Sequence, residues 1–418
     1  MTEIRPLPEG DYEAFTTLVA NAYPAMQIDT PEGRERFWQR IAQTQAEDPI
    51  ATAYGAYRAG RLVGGMMLYD FTMQMRSART LAGGVGMVAV DLLHKKEKVA
   101  RDMIAFFLAH YDQKQAPIAL LYPFRPDFYR QMGFGYGTQK YQYRVRPTAL
   151  PRGASKAHLR TLGLADKEAV RNCYNRLMAR SSGLIEKSER ELEQRMLGNP
   201  QLITLGHEEG GVLQGYMVLS FKRAAAENPF RNDLVVHELV YHTPEALAEM
   251  LTFLHTQKDQ VEAIVFNTQD EHFYHLLLDP RNGSEALIPH VYHPSSVAGV
   301  GLMYRVINVR RAFEVLGGHD FGGQTCTVQI TLRDSFYAAN AGSTVVHFMG
   351  GRPTVVPEGE AEVAITLDVA EFSSLLMGVI PFRRLHQYGL AEVSDPAYLD
   401  LVDGLFQAAE KPMCMTGF

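Results

Sequence analysis

The chain has 418 residues and a net charge of −6, with 46% hydrophobic and 21% charged residues, a composition that builds real cores and fits about three domains at roughly 100 to 200 residues each. That balance excludes a general polyanion binder, which draws on clustered cationic charge, so no nucleic-acid partner is expected. No stretch is long and apolar enough to span a bilayer, and the opening MTEIRPLPEGDYEAF has neither a basic nor an apolar leader segment, so a cytoplasmic protein with no membrane partner is expected. Three cysteines, Cys173, Cys326 and Cys414, are scattered without metal-ligand spacing. They read as reduced thiols, and no metal is expected.

In chain order, a short strand at Ile4 to Leu7 comes before Asp11, which can cap a helix whose apolar face runs through Leu18, Ala22 and Tyr23. Thr30-Pro31-Glu32 begins a second helix. On it, Trp38 beside Phe37 reads either as packed core or as lining a substrate mouth, and Asp29 just ahead reads as an anchor for an amine. Tyr54 to Gly64 is a hairpin. Gly83 to Tyr111, GGVGMVAVDLLHKKEKVARDMIAFFLAHY, is a strand, a basic turn and an amphipathic helix. The apolar run Ile118 to Tyr122 is a buried strand; a short helix with Phe128 and Tyr129 follows, closed by Gly133 before Phe134.

The opening then repeats. Ile4-Arg5-Pro6-Leu7 and Asp11 return at one constant offset as Leu159-Arg160-Thr161-Leu162 and Asp166, again with a cappable helix, whose face holds Cys173, Tyr174 and Leu177. A hairpin at Ile203 to Gly215 follows. The copies join near Pro147 to Gly153. In the second copy the strand Leu234 to Tyr241 runs straight into Thr243-Pro244-Glu245, a good helix start that puts a carboxylate where a phosphate would need positive charge. A structural or pocket-forming role is expected of it. After about residue 300, strands at Cys326 to Leu332, Ser343 to Phe348, Pro353 to Val356 and Ala361 to Leu367 alternate with helices at Val309 to Leu316, Ala370 to Met377 and Asp395 to Ala409, the last capped by Ser394.

The order strand, basic turn, helix, strand, Phe-Tyr, Gly-Phe resembles the GNAT superfamily of acyl-CoA-dependent N-acetyltransferases, and the layout after residue 300 resembles the sterol-carrier-like fold. Two GNAT-like units, such a domain and a terminal Phe together resemble the Eis (enhanced intracellular survival) family. The resemblance implies a mixed α/β (α+β) fold with a catalytic GNAT domain at 1–150, a degenerate GNAT-like domain at 151–300 and a sterol-carrier-like domain at 301–418. It implies acetyl-CoA as cosubstrate, an amine of a cationic small molecule, aminoglycoside-like or polyamine-like, or of a peptide as acceptor, and a homo-oligomer, a hexamer.

The resemblance also implies a site. Pantetheine lies along the bulged strand at Val88, Ala89 and Val90, with Met87 beside the substrate. Pyrophosphate rests on Lys96, Glu97, Lys98, Val99, Ala100 and Arg101, and Phe124 and Arg125 complete the cofactor side. Where the family has Arg-x-x-Gly-x-Gly or Ala, this chain has Lys95, Lys98 and Ala100. Tyr129 is the general acid, with Tyr136 its nearby competitor, and the terminal carboxylate of Phe418 is the general base. The tail Pro412 to Phe418 is apolar, with Lys411 its nearest charge. The glycine-free turn and the third domain also fit a different class, a non-catalytic acyl-CoA or lipid-binding protein.

Overall fold

The computed structural model describes residues 2–26, 28, 30–225, 228–284, 286–288, 291–357 and 359–418. The first stretch forms β1 (Glu3–Pro6), α1 (Tyr12–Ala22), α2 (Pro31–Glu47), β2 (Ala51–Arg58), β3 (Arg61–Met75), β4 (Ala78–Val90), α3 (Val99–Gln113), β5 (Ile118–Leu121), α4 (Pro126–Arg130) and β6 (Gly135–Tyr136). The second forms β7 (Lys140–Val145), β8 (Leu159–Leu162), α5 (Lys167–Met178), α6 (Glu189–Leu192), β9 (Ile203–Glu209), β10 (Val212–Ala225), β11 (Asn228–Tyr241), α7 (Pro244–His255), β12 (Val261–Thr268) and β13 (Val297–Gly299). The last forms β14 (Met303–Val306), α8 (Val309–Val315), β15 (Cys326–Arg333), β16 (Gly342–Met349), β17 (Arg352–Val356), β18 (Val363–Asp368), α9 (Val369–Leu376), α10 (Phe382–Gln387), β19 (Ala391–Val393) and α11 (Leu399–Phe406). The expected mixed α/β class is borne out. No helix among the described residues is long and apolar enough to cross a membrane.

The internal repeat is visible in the sheets. The first runs β1-β2-β3-β4-β5-β14-β6, the second β8-β9-β10-β11-β12-β7-β13 and the third β17-β16-β15-β18-β19. In each large sheet the fourth and fifth strands are parallel, β4 with β5 and β11 with β12, because α3 or α7 carries the chain across between them. The sixth place is filled by exchange. β14 follows the second copy in sequence yet lies between β5 and β6, and β7 follows the first copy yet lies between β12 and β13. Two compact units result: Met1–Gly137 with Leu302–Pro412 and Gly417–Phe418, and Thr138–Gly301 with Met413–Thr416.

Turn chemistry sets the registers. The β2–β3 hairpin turns on Ala59 (φ 47°) and Gly60 (φ 77°), and the β9–β10 hairpin on Gly210 (φ 59°) and Gly211 (φ 77°). Consecutive positive φ values match the right-handed twist of the flanking strands. Three expected caps are corrected. Asp11 and Asp166 each close a 3-10 turn ahead of α1 or α5 and make no cap hydrogen bond to the helix. Their ψ values of 2° and 4° are not the extended geometry that aims a carboxylate at the third helical amide. Asp11 accepts instead from Tyr57 Oη at 2.6 Å, and Asp166 from Gly163 N at 2.8 Å. Before the last helix, Ser394 Oγ accepts from Ala364 N at 2.9 Å, while Asp395 caps through Ala397 N at 2.8 Å. That helix is shorter than expected, a 3-10 turn at Pro396–Tyr398 followed by α11.

Within the first unit, α3 buries Met103, Ile104, Phe107 and Tyr111 against a cluster with Val85, Leu121, Phe134 and Met303, each such side chain contributing on the order of 1.5–3 kcal/mol. Phe313, Phe321, Phe348, Phe372 and Phe406 fill the interior of the last part of the chain; Phe321 and Phe348 lie 5.4 Å apart, and Phe372 and Phe406 6.4 Å apart. The two parts are tied by Arg76, in the β3–β4 turn. Its guanidinium donates to Leu376 O at 2.6 Å and Phe406 O at 2.7 Å, so one cation caps the carbonyl ends of α9 and α11.

Candidate active site

Two glycines fix where β4 and β5 meet. A Cβ on Gly83 would stand 2.4 Å from the Tyr111 ring, and one on Gly84 2.3 Å from the Phe71 ring. The strands pair only at Ala82↔Ile118, Gly83↔Ala119 and Gly84↔Leu120. Beyond Gly84, β4 bulges against β3, its register jumping from Met67↔Gly86 to Gly65↔Ala89, with Met87 at φ 49°. A bulge bends its strand. The edge from Val85 to Val90 is thereby left open on the β5 side among the described residues. Tyr23 Oη, from the residue that closes α1, donates to Val88 O at 3.0 Å and fixes the bulge.

At the end of β4, Asp91 accepts from Leu93 N at 2.9 Å and starts a 3-10 turn. Lys96 and Lys98 follow, both at φ 65°, a left-handed conformation that costs an L-residue about 1–2 kcal/mol. The backbone of a glycine turn is therefore kept without glycine. Lys98 is the N-cap of α3, yet no side chain there takes a cap hydrogen bond. The first-turn amides of Val99, Ala100 and Arg101 are thus placed to meet an anion. Lys95, Lys96, Lys98 and Arg101 are exposed. Glu97 does not oppose them freely: its carboxylate is held by His94 Nδ1 at 3.0 Å and Arg58 at 2.5 Å, and the His94 hydrogen bond, then the two charges, keeps its pKa below the usual carboxylate range. Arg101 lies 5.6 Å over the Phe336 ring. The second copy is closed at the same place, since Thr243 caps Ala246 N at 3.1 Å and Pro244 has no N–H.

The chain ends in this region. The Phe418 ring stands among Phe71, Tyr122 and Tyr69, at 4.8, 5.2 and 5.5 Å. A Cβ on Gly86 would come within 3.3 Å of the Phe418 carboxyl carbon, so the missing side chain lets the carboxylate approach β4 one residue from the bulge. Tyr129, on α4, is 7% exposed and packs in the cluster that Val85 helps to form and that Val88 borders. Burial first, and Tyr23 second, raise its pKa, so the phenol keeps its proton. Tyr136 is exposed, its ring 5.3 Å beneath Arg130.

The other expected residues divide. Trp38 and Met87 are half-buried around the cluster that Tyr23 and Tyr69 also border. Phe124 is exposed and meets Tyr23 edge-on at 5.6 Å. Arg125 is turned to its neighbour, its Nε 3.2 Å from Asp127 Oδ1, so its charge is largely matched locally. Asp29 lies outside the described residues. Sequence reasoning missed Tyr69, Phe71, Gly86 and Tyr122 as the seat of the C-terminus. Tyr69 and Phe71, two apart on one strand, share a face, and that spacing was the available signal.

Chemically, an open strand edge can pair with an extended amide-bearing chain, uncapped helix amides can hold a phosphate, a carboxylate can hold an ammonium group, and a buried phenol can give up a proton. Residues 3–137 and 177–306 each match an acetyltransferase (GNAT) domain, and residues 309–415 match a sterol carrier protein domain. The chain is 24% identical over 399 residues to an uncharacterized N-acetyltransferase of Streptomyces griseus, covering 90% of this chain and 91% of that one. In fold it is similar over the whole of both chains to a GCN5-related N-acetyltransferase from Anabaena variabilis, with a TM-score of 0.83 and 16% identity. It is likewise similar over the whole of both chains to Eis1 from Mycobacterium abscessus, with a TM-score of 0.75 and 20% identity.

Proposed function

We propose that this chain, with its two acetyltransferase (GNAT) domains and a sterol carrier protein domain, is an acyl-CoA-dependent N-acetyltransferase whose first copy moves the acetyl group of acetyl-CoA to an amine of a cationic small molecule, with Tyr129 as acid and the Phe418 carboxylate as base. The observation that carries this reading is the carboxylate's position against Gly86, beside the bulge.

The pantetheine amides pair with the open edge at Val88 to Val90, and the pyrophosphate rests on the amides of Val99, Ala100 and Arg101 beside Lys96 and Lys98. The Phe418 carboxylate holds the incoming ammonium and takes its proton. The neutral amine then attacks the thioester carbonyl, the C–N bond forms and the C–S bond breaks; the departing thiolate takes the Tyr129 proton, the proton shed by the acylated nitrogen returns to the Tyr129 oxygen, and the Phe418 carboxyl group releases its proton to solvent. The products are the N-acetyl amine and free CoA. A carboxylate on a residue whose ring stands among Tyr69, Phe71 and Tyr122 supports a cationic acceptor, because it supplies negative charge in an aromatic neighbourhood and aromatic faces attract cations as well.

Removing Gly417 and Phe418, or extending the terminus with a short tag, is expected to lower thiol release from acetyl-CoA with a polyamine acceptor by about 10²-fold or more, the range of a positioned proton acceptor. CoA affinity by calorimetry should stay near wild type. A tagged enzyme with full turnover would rule out the terminal carboxylate as base.

A further inference from the structure

In the second copy, three metal-ligating side chains converge away from the site above. His158 precedes β8, His207 lies in β9 and Glu249 in α7, and one ligand atom from each lies within 4.8 Å of the other two. His158 Nδ1 is 2.9 Å from Glu249 Oε1, and His207 Nε2 is 3.9 Å from Glu249 Oε2. Glu249 is oriented further by the His158 backbone amide at 3.0 Å and by a hydrogen bond from Ser155.

The repeat shows that this fold does not need polar groups here. Counted back from the hairpin turn, Ala56 of the first copy stands where His207 does; counted from the helix start, Ile104 stands where Glu249 does. Both are fully buried and apolar. The second copy instead buries an imidazole at 1% exposure and a carboxylate at 8%, and His207 Nδ1 has no hydrogen-bond partner. Leaving a buried polar atom such as Nδ1 unpaired costs about 1–3 kcal/mol, and at 3.9 Å the other ring nitrogen, Nε2, is beyond hydrogen-bond reach of Glu249, so the imidazole points to a missing ion or water.

We propose that His158, His207 and Glu249 bind a divalent transition-metal ion of the zinc class. Zinc takes imidazole and carboxylate ligands at about 2.0–2.2 Å, which spaces tetrahedral ligands by about 3.4 Å. The 3.9 Å gap closes with a shift of about half an ångström, separations of up to 4.8 Å within the set close by about 1.4 Å at most through rotation of His158, 47% exposed at its side chain, and that exposure leaves the remaining position to water. The ion pins the entry of β8 and the middle of α7 onto β9.

Zinc titrated by calorimetry into the chelator-stripped full-length protein should bind at one equivalent to this site. His158→Gln, which alters an exposed side chain, and Glu249→Gln, which alters a buried one, should each weaken that binding at least tenfold, with circular dichroism confirming that the variants are folded. Zinc should also raise the wild-type melting temperature and leave that of His158→Gln unchanged. A wild-type protein that takes up no zinc, or a folded variant that binds it as tightly as wild type, overturns the proposal.

Discussion

Burial at Tyr129 acts in the direction proton donation needs. By raising the phenol pKa it removes the ionised form across the working pH range, so the group is available only as a donor. Tyr129→Phe is expected to lower turnover by about 10² to 10⁴ while CoA affinity is retained. Tyr136→Phe, altering an exposed ring, should leave the rate near wild type; both are read by steady-state thiol release. Gly86 gives a sharper geometric prediction. An added Cβ meets the Phe418 carboxyl carbon and Tyr69 Cε2, each at 3.3 Å, closer than ordinary van der Waals contact, so the terminus must shift. Gly86→Ala should cut turnover by roughly tenfold, equivalent to about 1.4 kcal/mol in the barrier, with little change in melting temperature.

Among the elements, the turn between β4 and α3 separates backbone from charge. Lys98→Gly relieves the left-handed strain, worth about 1–2 kcal/mol, against the entropic penalty of glycine, about 0.5–1 kcal/mol. Lys98→Ala keeps the strain and removes the same charge. The melting temperature should rise only in the glycine variant, whereas CoA affinity should fall several-fold in both and less so at high salt, as measured by calorimetry at two ionic strengths. Local patterns made much of this scale legible: the hairpin at Ala59-Gly60, the Gly133 stop and the Thr243 cap all lie within a few residues of their cause, whereas the bulged strand came only from the family resemblance. The lysines at positive φ were not legible, because nothing in a basic run marks a left-handed backbone. Nor were the Asp11 and Asp166 turns, where a 3-10 step displaces the cap by geometry that composition does not encode. β14 was missed because Met303 to Val306 is only four residues long and its partners, Ile118 to Leu121, lie far back in the chain.

On the scale of the whole molecule, the first unit binds distant segments through buried polar groups. Arg305 and Asp334, at 0% and 8% exposure, pair at 2.7 Å, and Arg76 caps two helices from a β-turn. His319 sits beside Phe321, 4.7 Å ring to ring, with Nδ1 3.1 Å from Ser77 Oγ. Burial first, then Arg76, lowers its pKa from 6.5 to about 4. Between those two values the unfolded chain binds a proton that the folded chain does not, so stability is lost as pH falls through the window. Urea midpoints should therefore decline from pH 6.5 toward 4, and His319→Gln should flatten part of that slope.

The exchanged strand has a bearing on biosynthesis. A ribosome completes β5 at Leu121 but does not reach Val306, the end of β14, until 185 residues later, an interval of about 10–40 s at typical elongation rates. Throughout it the nascent first sheet presents an unpaired apolar edge at Ile118 to Leu121, the kind of edge that recruits foreign strands. The last strand of the second sheet, β13, ends at Gly299, so the second sheet has all its strands before the first sheet does. A transcript truncated anywhere before β14 therefore yields no shortened enzyme, only an open sheet that chaperones or proteases must meet.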